Sequence, residues 1–459
     1  MQLRPKITTY TALKQSLVFR MADIRQLAQS LVDRSDAREH VRSDEYAFLR
    51  YHFLDEVICA VTLFNDDAGE SEARWALCFD ELEIAPDWVS DQLFRSIRST
   101  DERILIKMAM SPVSTRAYPS IFEHVTGAST LNDFDTIRLW YTDKLEPLRF
   151  CQDMWAAVVK RKAHSALTPH DVLGYSQTEF RTSNRTSARS AYEISSDMMA
   201  SFERLSKSDA SFAAYLAREK IVLDKLQHLP PERFAATIRK VAPIVVFRDY
   251  FRAGDEHKRS LRSRKISSVY SGADSVFAVT EGNPRWFLLI VNEMLDKAAE
   301  SNWKISKEEQ AEILSNAAGR FLAMLKTLPV PQASVGSTKV SLLGVLDRVG
   351  RHFEQKILID DFNPDPEGTL SPSLVTTPRE LAALLDIAVN AGALIYLPGQ
   401  RDELILRSVA GKRFRLSYLL LPLFRVPIRK GRAVSLHRIL KLSEPPTRDQ
   451  IPLITEGGL

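Results

Sequence analysis

The chain has 459 residues, 45 % of them hydrophobic and 26 % charged, with a formal net charge of +4. That length suits about two to four domains, with ample material for cores. The three cysteines, Cys59, Cys78 and Cys151, are far apart and show no C-x-x-C spacing, which excludes a disulfide scaffold and a zinc ribbon. The start, Met1-Gln-Leu-Arg-Pro, has no apolar run of signal-peptide length, and no stretch reaches the roughly 18 apolar residues of a membrane helix. A soluble, cytoplasmic protein is expected.

Residues 1–65 read as helices, with Leu13, Leu17, Met21, Ile24, Leu27 and Leu31 at three- and four-residue steps. A turn at Asn65–Gly69 leads into three short apolar runs of strand type, Arg74–Phe79, Arg103–Ala109 and Thr136–Tyr141. Helical or loop sequence between them predicts a parallel α/β sheet. Residues 164–192, rich in Ser, Thr and Arg, read as a linker, residues 193–300 as largely helical, and residues 328–340 as a second linker. Helices are expected at 341–357 and 378–391, extended segments around 393–397 and 404–421, and a loose tail from Glu444.

Three features bear chemistry. Ala76-Leu-Cys-Phe79 reads as a buried parallel strand that ends in Asp80 and Glu81. In doubly wound sheets ligands bind beyond the carboxyl ends of the strands. A carboxylate there can hold Mg²⁺ through water, and its neighbour can orient an attacking water. The next strand ends in Ser111-Pro112, where a small polar residue can meet a phosphate. Further on, Glu281-Gly-Asn-Pro-Arg285 places an N-cap (Asn283), a first-position proline and a cation in the first helical turn. The helix dipole disfavours that cation unless an anion offsets it.

In this order the features resemble Walker B, sensor 1 and sensor 2 of AAA+ ATPases, and within them the bacterial members of the origin-recognition/Cdc6-like group. The resemblance runs from about residue 60 to 300. It implies Asp80 and Glu81 as the catalytic acids, with Asp80 also on the metal, and Ser111 and Arg285 as nucleotide-sensing residues. ATP and Mg²⁺ are the implied cofactors, and an AAA+ oligomer or a complete ATPase is an implied partner. An arginine finger is expected too, with Arg95 and Arg98 as candidates that no motif marks.

One element of that pattern is missing. A P-loop, G-x-x-x-x-G-K-[ST], wraps phosphates with backbone N–H groups. This sequence has no glycine before Gly69, and its one Gly-Lys pair, Gly411-Lys412, lies far downstream. By the resemblance, the P-loop strand would lie between the sensor 1 strand and the last one. Its loss leaves buried strand edges without partners, at roughly 1–3 kcal/mol per group. An N-terminally truncated chain and a pseudo-ATPase that keeps the scaffold are both open readings.

The last third reads helix, helix, hairpin. Thr377-Pro378-Arg-Glu380 predicts a capping box and Asn390-Ala-Gly392 a helix end. This is the order of a winged helix, which also follows the lid in the resembling family. Between 401 and 441 lie eleven basic residues and two acids, Asp402 and Glu403. Lys412, Arg413 and Arg415 sit at the hairpin turn and are the candidate contacts to double-stranded DNA. A second basic run, Lys258–Lys265, reads as a solvated loop. The expected architecture is a partial α/β AAA+ core with an incomplete parallel sheet (1–163), linker and helical lid (164–327), a winged-helix-like domain (328–443) and a tail (444–459). The expected function is ATP and DNA binding with impaired hydrolysis. The alternatives are a non-enzymatic scaffold or DNA-binding module, and a STAND-type signalling ATPase, because Gly282-Asn-Pro resembles a Gly-x-Pro motif.

Overall fold

The computed structural model describes residues 9–31, 53–82, 85, 87–97, 101–113, 133–137, 146–162, 167–177, 196–252, 261, 268–330, 333–335, 338–373, 377–398 and 406–441. The chain divides into two units, Met1–Met110 and Ser111–Leu459.

The first unit contains α1 (Tyr10–Leu31), α2 (Phe53–Ala68), β1 (Trp75–Phe79), α3 (Asp87–Ser96) and β2 (Ile104–Met108). β1 and β2 pair in parallel, with Trp75 opposite Ile104 and Phe79 opposite Met108. The parallel pairing follows the expectation from the alternating strand and helix patterns. The burial expected of β1 does not: Ala76 and Cys78 are exposed, and Leu77 and Phe79 only half-buried. The period of two explains the division. Trp75, Leu77 and Phe79 share a face with the better-covered Ile104, Ile106 and Met108, while Leu105 on the other face is 58 % exposed. Parallel strands normally have both faces covered, and among the described residues of this unit one face is left open. Asn65, 1 % exposed, ties α2 to β1: its side chain donates to the Ala73 carbonyl (2.9 Å) and accepts from the Trp75 indole (2.9 Å). On α1, Met21 and Ile24 of the expected apolar face are exposed, as are Val18 and Phe19. The third expected strand lies mostly outside the described residues, and its described part, Thr136 and Ile137, is not in a strand.

The second unit is built round one continuous core that runs from Val113 to Leu440. It is mainly helical: α4 (Glu146–Lys162), α5 (Pro169–Leu173), α6 (Ser196–Ser208), α7 (Ala210–Arg218), α8 (Pro231–Phe251), α9 (Ala273–Thr280), α10 (Pro284–Glu300) and α11 (Lys307–Thr327). Part of the first expected linker is helical. Thr168 and Asp171 form a capping box at the start of α5, giving those polar residues a structural use. Part of the second is an antiparallel pair, β3 (Ala333–Val335) with β4 (Thr338–Val340), whose Ala333 and Val340 enter the core. A buried ion network joins distant elements. Arg248 and Arg252 both pair with Asp209, and Arg248 also donates to the carbonyls of Ile357 and Asp360 at 2.9 Å each.

The C-terminal part runs α12 (Leu342–Glu354), a π-helical turn at Gln355–Ile359, β5 (Glu367–Ser371), α13 (Arg379–Asn390), β6 (Leu394–Leu397), β7 (Arg413–Leu416), α14 (Leu421–Phe424), β8 (Arg432–Ser435) and α15 (Leu436–Leu440). The sheet order is β6-β7-β5-β8, antiparallel from β6 to β5, with β8 parallel to β5. β5 approaches the loop before β8 so closely that a Cβ on Gly431 would lie 2.6 Å from the Gly368 nitrogen. Among its described residues, the expected extended segment 404–421 is a strand only at Arg413–Leu416. The α13 cap also differs. Pro378 is the N-cap, and the Thr377 hydroxyl donates to the Ser373 carbonyl at 2.6 Å instead of capping the helix. Residues 442–459, including the expected tail, lie outside the described residues.

Candidate functional site

Asp80 and Glu81 stand, as expected, at the carboxyl end of β1. Both are exposed. The Glu81 backbone N–H donates to Asp80 Oδ1 at 2.9 Å, and Glu81 has φ +54. Non-glycine residues seldom adopt this left-handed backbone, and such strain is common at functional sites. The turn is fixed by Ala109 N–H donating to the Phe79 carbonyl (2.8 Å) and by the buried Leu82 behind it.

Ser111 opens the second unit and is half-buried. The residues after it are held firmly. The Val113 N–H donates to Asn390 Oδ1, and Asn390 Nδ2 donates back to the Val113 carbonyl, both at 3.0 Å. The Leu406 N–H donates to the Pro112 carbonyl at 2.8 Å. A single asparagine at the end of α13 thus satisfies both backbone groups of Val113.

Arg285 lies in the first turn of α10 and is exposed. The local expectation holds here. Asn283 is the N-cap, its Oδ1 accepting from the N–H groups of Arg285 (3.0 Å) and Trp286 (3.3 Å), and Pro284 takes the first position. Arg285 borders a shallow groove of ≈ 520 Å³ along α10, shared with Glu293, Asp296 and Arg320. A larger cavity, ≈ 770 Å³, lies between α4, α5 and α9 and is lined by Trp155, Leu167 and Phe277 with Lys160, His170 and Asp274. None of the candidate residues lines that cavity.

The three candidate DNA residues part company. Arg413 is exposed and Lys412 half-buried, beside the Gly411 turn (φ +73). Arg415 turns inward, with 12 % of its side chain exposed. It pairs with Glu281, and its guanidinium lies 3.8 Å from the centre of the Tyr418 ring. Two other basic residues of this stretch are also drawn in: Arg425 toward Glu354 and Arg429 toward Asp365. Burial lowers the Arg429 pKa, though Asp365 opposes the shift. Arg432 and Arg438 remain about 60 % exposed, each 3.7 Å from the buried Glu367.

Sequence reasoning missed Glu281. Its carboxylate accepts the Ser417 hydroxyl (2.6 Å) and the Tyr418 N–H (3.1 Å) in addition to pairing with Arg415. It also missed Asp386, which accepts from the Val409 N–H and whose pKa is pushed up to about 6 by burial. Glu281 opens the Glu281-Gly-Asn-Pro-Arg285 motif, but nothing in that motif marks its carboxylate, and Asp386 sits on the polar edge of an amphipathic helix.

Among the described residues no group of three or more His, Cys, Asp or Glu is arranged to hold a metal ion. No helix among them is long and apolar enough to cross a membrane. The parallel β1–β2 pair ending in two acids, the capped helix bearing Arg285, and the helix–strand–helix–hairpin that follows define an α/β protein compatible with the AAA+ class. The ORC-CDC6-like family model matches residues 2–436, and the chain belongs to that family. No curated protein and no solved structure matches it. The family generally uses ATP and Mg²⁺. The residues present fit that pair incompletely: the sequence carries the two acids in the first unit and Arg285 in the second, but has no G-x-x-x-x-G-K-[ST] loop to cradle phosphates. No hydrolytic step follows from them.

Proposed function

We propose that this chain is a DNA-binding member of the ORC-CDC6-like AAA+ family that holds ATP weakly or not at all. The observation that carries the reading is the C-terminal hairpin. β6 and β7 pair antiparallel, with β7 against β5, and beside the turn Arg413 is exposed and Lys412 half-buried. We read this region as a winged helix whose wing meets DNA phosphates, with the exposed Arg432 and Arg438 adding to its positive field. Arg415 supports the wing from inside.

In the family's scheme Asp80 holds Mg²⁺ through water, Glu81 orients the attacking water, and Ser111 and Arg285 read the phosphate. A complete ATPase partner or an AAA+ oligomer would be the setting in which they act, in the cytoplasm. Without a P-loop, the second reading, a non-enzymatic DNA-binding scaffold, differs only in whether ATP changes the DNA affinity.

The test is fluorescence anisotropy on a labelled duplex of about 25 base pairs, measured between 50 and 200 mM salt. Affinity should fall steeply with salt, by about one power of salt concentration for each phosphate contacted. On the non-enzymatic reading it should be unchanged by Mg–ATP and by Glu81→Gln, and a shift with Mg–ATP would favour the nucleotide-dependent one. Salt-insensitive binding would overturn the phosphate contacts. Micromolar ATP affinity would overturn the statement about nucleotide.

A further inference from the structure

We infer that Glu281 and Asn390 are positioning residues for the basic hairpin, setting its DNA affinity without touching DNA. This rests on the DNA-binding reading above. The module α13–β6–β7 is gripped at two points by segments remote in sequence. At one, Asn390 closes α13 onto Val113 with paired 3.0 Å hydrogen bonds, four residues before β6 begins, and Leu406 adds a bond to Pro112. At the other, Glu281 holds the far end of β7 through Arg415, Ser417 and the Tyr418 N–H. The outward Arg413 lies two residues from Arg415 on the same strand.

Glu281 is well suited to this work. It has φ +55 at the C-cap of α9, a conformation that costs a side-chain-bearing residue some strain. Glycine would relieve that strain, so its presence here points to the carboxylate. The groups facing the carboxylate are Arg415, the Ser417 hydroxyl, the Tyr418 N–H and the Tyr418 ring, on which the Arg415 guanidinium lies. Only 15 % of its side chain is exposed, so it cannot itself meet a duplex. Four residues on, along one short turn, stands Arg285 at the start of α10. The clamp therefore makes the hairpin and the first turn of α10 one mechanical piece.

The test uses the full chain and five variants, three of them at the Glu281–Arg415 pair. Glu281→Gly removes the carboxylate but suits φ +55, Glu281→Asn does the same with a small polar side chain, and Glu281→Arg with Arg415→Glu reverses the pair. Hydrogen–deuterium exchange is read at 414–418 and at 285–286, and duplex affinity by anisotropy. Both single variants should raise exchange about tenfold in the two segments together and weaken DNA binding about fivefold. The reversed pair should recover at least half of each loss. Arg413→Ala should weaken DNA binding with exchange at 285–286 unchanged. If the wild-type chain binds DNA and Glu281→Gly binds equally well, or if exchange rises in one segment alone, the inference is wrong while the DNA reading stands. If the wild-type chain shows no salt-sensitive DNA binding, the DNA reading fails and the inference with it. Asn390→Ala gives an independent check: it should loosen 394–397 and lower DNA affinity while leaving 285–286 as in wild type, and unchanged affinity would remove Asn390 from the proposal.

Discussion

Replacing Asp386 by asparagine should stabilise the protein at neutral pH and lose that effect in acid. Asp386 lies on α13 and accepts one backbone hydrogen bond, from Val409 at 3.3 Å. Burial is the first cause of its raised pKa, about 6 against 3.8, and the Val409 N–H offsets it in part. The sign follows from linkage. The folded state holds this proton more tightly than the unfolded state, so the stability it contributes is complete below about pH 4 and is lost as pH rises through about 6. Above that, an ionised carboxylate faces a largely apolar setting. A shift of about two units corresponds to at most ~3 kcal/mol at 1.36 kcal/mol per unit. Asp386 is only half-buried, and solvent screening reduces this to ~1 kcal/mol. Asparagine keeps an oxygen acceptor for Val409 and carries no charge. Urea unfolding of wild type and variant at pH 7.5 and pH 4.5 should show a gain of ~1 kcal/mol at the higher pH and about a third of that at the lower. A gain that is equal at both pH values, or larger in acid, would refute the reasoning.

Removing the two cations at the hairpin turn together, Lys412→Ala with Arg413→Ala, should weaken duplex binding and reduce the slope of log affinity against log salt by about two, as expected for two lost phosphate contacts; an unchanged slope in an anisotropy titration would count against the wing. Asp80→Ala and Glu81→Gln should leave duplex affinity and thermal stability within error, because both side chains are exposed and no described partner depends on them beyond the Asp80–Glu81 turn bond. Asp209→Ala should cost about 3–5 kcal/mol in urea unfolding, since it leaves the 1 % exposed Arg248 a buried cation without its carboxylate. A loss under 1 kcal/mol would show that water or a neighbouring acid replaces it.

How much of this was legible beforehand can be judged element by element. The β1–β2 pairing was, because an apolar run closed by two acids carries its own signal. Its exposure was not, since burial depends on what lies over a strand and not on the strand's composition. Asn283 and Pro284 were read correctly because capping is a local matter of one side chain and two N–H groups. β5 was missed: Glu367-Gly-Thr-Leu-Ser is a poor strand by propensity, and it is held by its neighbours β7 and β8 and by His352, 2.6 Å from Glu367. The linker assignments took prolines and small polar residues as unstructured, yet Thr168 and Asp171 form a capping box and Ala333 reaches the core. Arg413 and Arg415 are alike in sequence and share a strand face by the period of two. The position of Glu281, over 130 residues earlier in the chain, and of the Tyr418 ring separates them.

That separation bears on what the sequence retains. A carboxylate pair at a strand end acts on a phosphate only when something else binds the phosphate, and a single exposed carboxylate holds hydrated Mg²⁺ weakly. Asp80 and Glu81 are both exposed. The second unit tells differently. Glu281 and Asn390 each satisfy several polar groups of another segment at hydrogen-bond distance, and Glu281 does so in a backbone conformation that disfavours it. Several distant groups brought into register by one side chain cost conformational entropy that only a specific, retained arrangement repays. The inward pairing of Arg415, Arg425 and Arg429 with acids leaves Arg407, Arg413, Lys430, Arg432, Arg438 and Lys441 as exposed cations among the described residues of this region. On physical grounds, then, function in this chain is to be sought first in the supported hairpin, and a nucleotide effect, should one appear with a partner that brings the phosphate cradle, would reach DNA through the five residues from Glu281 to Arg285.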